Sequence, residues 1–194
     1  MKYVIEAGAC DGLFKSTTEW TDEHYDDITA ILIEPHPEMY DRLVQNRTKK
    51  NIFINKCLVG FDHPSTDIDL IQKNCIDQSS VLNLAEHNVP SDKQISGIKI
   101  KCEASTLQKI LDDLNIYEVE KLYLDVEGFE VEVLKGIDYE KTNIKEMEIE
   151  PHFTRTGFTK EEEFQAINHV ISDYYNFIKE VKPNEEIKYI FKRK

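Results

Sequence analysis

Apolar residues fall into two rhythms along this chain: short runs with few polar interruptions, and longer stretches in which they recur every third or fourth position. "KYVIEAG", from Lys2, is a run of the first kind, and "AILIEPH", Ala30 to His36, is another; both pass into a glutamate. "PEMYDRLVQNR" then sets Pro37 where a first helical turn tolerates it and puts Met39, Tyr40, Leu43 and Val44 on one face. "NIFINKCLVG", from Asn51, reads as a third strand. Between about Phe61 and Gly97 the pattern loosens to one alternating run, "STDIDLI", followed by polar sequence. It reads as a hairpin plus an excursion grafted on the core, either a lid or a plain surface insertion. "IKIKCEA" returns to strand.

"STLQKILDDLN" opens on a capping-box pattern, Ser105 to Gln108, and spaces Leu107, Ile110, Leu111 and Leu114 at i, i+3, i+4 and i+7, which predicts a helix. "KLYLDVEG" is a strand ending in acids, "FEVEVLKG" a short helix closed by Gly136, and "KEMEIEPH" a further strand with an acidic end. A second capping box, Thr159 to Glu162, starts a helix with Phe164, Ile167, Ile171 and Tyr174 inward. "NFIKEV" and "EIKYIFK", joined across Pro183-Asn184, make a hairpin-like pair. Strands alternating with helices predict an α/β fold with a mainly parallel sheet and helices on both faces. The last two strands have no helix between them, so they pair antiparallel at one edge.

The 194 residues suit a single domain, 1–194, with the insertion or lid at about 61–97. A net charge of −13 repels phosphates and argues against nucleic acid as a partner; the one basic cluster, Lys192 to Lys194, reads as a solvated tail. The four cysteines form neither a CxxC pair nor a zinc spacing, which points to a reducing compartment. No signal peptide and no run of membrane-spanning length is visible, so the expected location is cytoplasmic.

In open α/β sheets ligands bind outside the carboxyl ends of the strands. Four predicted strands carry acids there: Glu6, Glu34, Asp125 with Glu127, and Glu150. Each alone could serve a following helix N-terminus; four on one rim read as a site. Gly8 and Gly12 would let backbone approach a ligand, with a helix N-terminus beyond to receive a carboxylate. Glu34 follows Gly8 by about 26 residues, near the ~20 at which an acid takes ribose hydroxyls. Position 10 is Cys10, so a GxGxxG fingerprint fails, and a pyrophosphate would sit badly beside Glu6 and Asp11. An acidic loop suits a cation. S-adenosylmethionine offers an ammonium, a sulfonium, a ribose diol and a carboxylate.

At these residues the chain resembles the FkbM-type methyltransferases. The matching pieces are "EAGACDG", "STT" from Ser16, "LIEPHPEMYDRLVQNR", Ser79-Ser80 and, above all, "LDVEGFEVEVLKG" from Leu124, over roughly Val4 to His152. The resemblance implies a Rossmann-like, doubly wound fold of the class I methyltransferase type. It also implies S-adenosylmethionine as cofactor, and hydroxyl groups of glycans or natural products as acceptors. Cofactor contacts are implied at Glu6, Gly8, Glu34 and Asp125. The same motifs offer Ala9, Cys10, Asp11, Gly12, Ser16 and Pro35 as candidates beside them, with Ser79 and Ser80 toward the adenine. The chain departs from the family at Cys10, usually Asn, and at Tyr123, where Lys is common.

A hydroxyl acceptor must lose a proton, so a placed base is expected among Asp125, Glu127, Glu150 and His152. His152 is the histidine at these strand ends, with an ordinary pKa suited to a base, though it could equally be structural. Asp125, Glu150 and His152 could alternatively hold magnesium or manganese if their geometry converges; metal dependence is not the favoured expectation. Trp20, Tyr25 and Phe153 are candidates for an acceptor cleft, or else core. A nicotinamide dehydrogenase, a nucleic-acid methyltransferase and a non-catalytic cofactor-binding scaffold are the rivals. The helical N-terminal extension with which many methyltransferases cover the cofactor is not seen ahead of the first strand. That leaves the 61–97 segment or a partner subunit to cover it.

Overall fold

Ile28–Ile33 is buried at every position, as a strand covered on both faces must be. In the computed structural model it is β2, paired in parallel with β1 (Lys2–Ala7) on one side and β3 (Ile52–Ile54) on the other. The structure describes residues 1–24, 26–72, 80–81, 98–183 and 186–194. On the far side of β1 lie β8 (Glu118–Leu124) and β9 (Asn143–Ile149), both parallel. The antiparallel pair β10 (Tyr175–Val181) and β11 (Lys188–Arg193) closes that edge. The seven-stranded order is β10-β11-β9-β8-β1-β2-β3. The fold is therefore mixed α/β with a mostly parallel central sheet, compatible with a Rossmann-like arrangement.

"NIFINKCLVG" is not one strand. It divides at Asn55-Lys56 into β3 and a separate β4 (Cys57–Leu58), because the Asn55 side chain donates to the carbonyls of Glu34 and Pro35 and turns the chain. β4 enters a second sheet, β4-β7-β5-β6, with β5 (Asp67–Gln72), β6 (Ser80–Val81) and β7 (Ile98–Ser105). β5 and β7 form the expected antiparallel hairpin, in register from Asp67 opposite Glu103 to Gln72 opposite Ile98. The rest of the predicted excursion, 73–79 and 82–97, lies outside the described residues.

The helices in chain order are α1 (Trp20–His24), α2 (Pro37–Asn46), α3 (Leu107–Leu114), α4 (Glu130–Lys135), α5 (Phe153–Thr156) and α6 (Lys160–Ile171). One face of the main sheet, with Ile5, Ile31, Leu122 and Met147, packs on Leu107 and Leu111 of α3, Leu134 of α4 and Ile167 of α6. On the other face Val4, Ala30 and Leu32 pack on Leu43 of α2. Over β8, β9 and β11 that second face carries a charged ladder: Lys121 pairs with Glu146 and Glu148, and Lys188 with Glu148 and Glu150. The expected helical layer on both faces is thus only partly realised among the described residues, since there is no apolar stripe there on which a helix could seat. Val44, expected on the packed face of α2, is exposed.

Caps follow the chain's hydrogen bonding. Thr159 and Glu162 form the predicted reciprocal box at α6. At α3 the cap is Thr106, whose hydroxyl accepts from the Lys109 N–H, and not Ser105. Ser105 ends β7 in register with Leu58 of β4, and Gln108 spends its side chain on Asp112, Asp138 and Thr142. Among the described residues no helix is long and apolar enough to cross a membrane.

Candidate functional site

Strand order reverses between β1 and β8, the point at which an open α/β sheet leaves a crevice beyond its carboxyl ends. A cavity of about 380 Å³ occupies that crevice, within the ordinary range for ligand pockets. Glu6, Gly8, Cys10, Glu34, Pro35, Asp125, Glu127, Glu150 and His152 all line it. Ala9, Asp11, Gly12 and Ser16 do not. Ala9 is buried against α2, and Asp11 turns Oδ1 to the N–H groups of Leu13 and Phe14. Ser79 lies outside the described residues; Ser80 opens β6, beside Ile71.

The loop after β1 is held from within. Glu6 is buried, and its carboxylate accepts from the Thr17 N–H at 2.8 Å, the Ser16 hydroxyl at 3.0 Å, and the hydroxyls of Thr17 and Thr18. The Arg47 guanidinium, fully buried, stands 3.8 Å from Glu6 and 2.7 Å from Asp22, whose carboxyl it helps hold down at about 2 against the upward push of burial. Both glycines take left-handed backbone, but the close approaches they permit are to protein. A Cβ at Gly8 would stand 1.7 Å from the Asp125 carbonyl oxygen, and one at Gly12 would stand 2.6 Å from Leu43. The helix expected after the loop begins only at Trp20 and runs five residues. Cys10, also left-handed at φ 49°, occupies a conformation that Asn adopts more readily.

Glu34 is used differently. Its Oε2 accepts from the Cys10 N–H at 2.9 Å and its Oε1 from the His36 N–H at 2.8 Å, so the carboxyl is fixed at the cavity wall. Burial pushes it up to about 7, against the pull of those two donors. Each oxygen keeps acceptor capacity beyond its one N–H.

On the opposite wall His152 sits inside a ring of acids. Its Nδ1 is 2.9 Å from Glu130; its Nε2 is 3.5 Å from Asp125, 3.5 Å from Glu127 and 3.9 Å from Glu150. Burial alone would lower its pKa, but the hydrogen bond to Glu130 and the charges of Glu130, Asp125 and Glu127 outweigh it and hold His152 at about 9. The Asp125 carboxyl is pushed up to about 7 by burial and by Glu150, Glu127 and Glu130, with His152 opposing. Its side chain is still 44% exposed, so water in the cavity moderates that rise. Asp125, Glu127 and His152 bring three ligand-type atoms within 4.8 Å of one another. The expected metal set named Glu150 in place of Glu127, but Glu150 is the acid farthest from the ring and also faces Lys188 at 3.6 Å. With His152 carrying a proton, its imidazolium lies among these carboxylates.

Several lining residues carried no sequence signal. Lys15 reaches across the mouth to ion-pair with Glu186 of the β10–β11 connection, and Phe14, Tyr123, Glu148 and Lys188 complete that side. Met39, Leu58 and Leu70 give the Glu34 side an apolar wall. Trp20 and Phe153 do not line the cavity, and Tyr25 is outside the described residues. Glu130 and Glu163, both 1% exposed, did leave a trace: each is an acid on the apolar stripe of its helix, with Val133 and Leu134 in α4 and with Ile167 and Ile171 in α6.

A model of the methyltransferase FkbM domain matches residues 6–179. No curated protein matches the chain.

Proposed function

The chain belongs to the FkbM methyltransferase family, and on that premise we propose that its cavity binds S-adenosylmethionine and serves O-methylation of a glycan or small natural product. The observation that carries this is the meeting of the Gly8 loop, the fixed Glu34 carboxyl and the Asp125–His152 pair around one cavity. The switch point between β1 and β8 supports the class I methyltransferase reading of the sheet. The buried thiols of Cys57 and Cys102 suit a cytoplasmic setting.

The donor set fits the cofactor. Glu34 keeps acceptor capacity for the ribose hydroxyls, Met39, Leu58 and Leu70 suit a flat base, and the surrounding carboxylates suit a cation. S-adenosylmethionine, when bound, supplies a methyl carbon already activated by a sulfonium. The protein's work is alignment and proton removal; well-oriented reactants gain about 7–11 kcal/mol from prepaid entropy. Asp125 is the base in this reading: its carboxyl faces the cavity and its pKa is raised to about 7, near a working pH. It takes the acceptor hydroxyl proton on a carboxylate oxygen. His152, held at about 9, is a cation at neutral pH; it steadies the Asp125 carboxylate and is not itself the free base. Glu6 and Arg47 keep the loop in shape.

Calorimetric titration separates this reading from its rivals. S-adenosylmethionine and S-adenosylhomocysteine should bind, and NAD should not; NAD binding alone would make the protein a nicotinamide enzyme. A screen with isotopically labelled methyl donor across glycan and small hydroxyl acceptors follows. Asp125→Asn should abolish turnover there while leaving S-adenosylhomocysteine bound. A protein that binds the cofactor but methylates nothing in a broad screen would be the non-catalytic scaffold.

A further inference from the structure

We propose that Glu130 is the positioning residue of this site: one carboxylate oxygen fixes both the His152 ring and the turn that carries Asp125 and Glu127. The catalytic meaning of that arrangement rests on the methyltransferase reading; the arrangement itself does not.

Three donors converge on Oε1 of Glu130. They are the Val126 N–H at 3.2 Å, the Gly128 N–H at 3.1 Å and Nδ1 of His152 at 2.9 Å. The turn between the first two is one the backbone would not hold cheaply unaided, since Glu127 has φ 60° and Gly128 φ 104°. Glu130 is 1% exposed and does not line the cavity, so it touches no ligand and acts through its neighbours. Its other oxygen is buried with no hydrogen-bond partner among the described residues, so the nearest compensation for its charge is the imidazolium. A carboxylate bound to one ring nitrogen fixes the orientation of the other, here Nε2 facing Asp125 and Glu127.

A second buried acid supports the same histidine from α6. Glu163 accepts from the His152 N–H at 3.0 Å, which sets the backbone from which the ring projects. α4 packs against α6, so Glu130 and Glu163 reach His152 from two helices on the same side. Burial, with the Glu130 charge adding to it, pushes Glu163 up to about 7. The charged groups around the ring are therefore Asp125 and Glu127 from the turn, Glu130 from α4, Glu150 from β9 and Glu163 from α6. Lys188 of β11 is bound to Glu150, and Lys15 of the first loop completes the set.

The test is an NMR titration of the His152 imidazole nitrogens, assigned by its loss in His152→Gln, in the parent and in Glu130→Gln. Glu130→Gln should lower the His152 midpoint by about 1–3 pH units, the effect of removing an adjacent opposite charge. Glu132→Gln, one turn surface over and paired with Lys135, should not move it. Amide resonances of Val126 and Gly128 should shift in Glu130→Gln alone. S-adenosylhomocysteine should still bind, while methyl transfer falls on the order of 10–100-fold, as when carboxylates that orient a histidine are removed. An unchanged His152 midpoint in folded Glu130→Gln overturns the proposal. If that variant does not fold, Glu130→Asp keeps the charge but withdraws it, and an unmoved midpoint there overturns it equally. Absence of S-adenosylhomocysteine binding in the parent would instead overturn the functional reading and leave the titration to judge Glu130.

Discussion

Glu34→Gln separates what Glu34 costs the fold from what it gives the site. Burial raises the Glu34 carboxyl from its ordinary 4.5 to about 7, so the folded chain holds this proton more tightly than the unfolded chain does. The resulting stabilisation is complete below pH 4.5 and is lost as pH rises through 7. A shift of that size corresponds to about 3 kcal/mol. Glutamine does not titrate. It can offer its one oxygen to the Cys10 or the His36 N–H but sets its amide against the other, at a roughly pH-independent cost of about 1–3 kcal/mol. The parent's advantage of about 1–3 kcal/mol at pH 4.5 should therefore fall by about 3 kcal/mol by pH 8, vanishing or reversing in favour of the variant. Urea denaturation of both proteins at intervals across that range measures the gap, and groups that titrate alike in both cancel from it. In the same variant, S-adenosylmethionine affinity should weaken by roughly 1.5–3 kcal/mol, as for a lost charged hydrogen bond. A gap that does not change with pH would refute the reasoning, because Glu34 would then be ionised in the fold at little cost.

Arg47→Met should destabilise the protein by about 3–5 kcal/mol in chemical denaturation, because it leaves the Asp22 and Glu6 carboxylates buried without their cation; a loss under 1 kcal/mol would mean that the loop does not depend on it. Gly8→Ala should lower the melting temperature and abolish S-adenosylhomocysteine binding, since left-handed backbone alone costs about 1–2 kcal/mol and the new Cβ meets the Asp125 carbonyl oxygen besides. Thr106→Ala should cost about 1 kcal/mol as a lost N-cap, and Ser105→Ala less; the reverse order in paired denaturation curves would restore Ser105 as the cap.

The sheet was legible because burial writes directly into strand composition. Ile28–Ile33 is apolar enough to be covered on both faces, and the hairpin partners Asp67–Gln72 and Ile98–Ser105 alternate. The break at Asn55-Lys56 was not legible, since it depends on one side-chain amide reaching the carbonyls of Glu34 and Pro35, contacts that no periodicity encodes. The cap of α3 failed for a related reason: Ser105 and Thr106 are chemically equivalent caps, and the choice between them is made by β4 pairing with Ser105. The charged ladder of Lys121, Glu146, Glu148 and Lys188 was visible residue by residue, but only strand adjacency turns it into a face without a helix-seating stripe.

For the site, position was readable and orientation was not. Strand ends located Glu6, Glu34, Asp125 and Glu150 on one rim, and the cavity gathers all four. What an acid on that rim does depends on where its oxygens turn, and that is set by neighbours distant in sequence. Glu6 turns them to Ser16, Thr17 and Thr18, and so braces a loop. Glu34 is pinned by two N–H groups with capacity left over for a ligand. Asp125 faces an imidazolium whose charge is maintained by Glu130, a residue behind the wall. In the proposed function the same carboxylate chemistry thus serves as a brace, a receptor and a base. What separates them is the count of protein donors already spent on each, which makes donor saturation the property to compare when an acid-rimmed sheet is read for function.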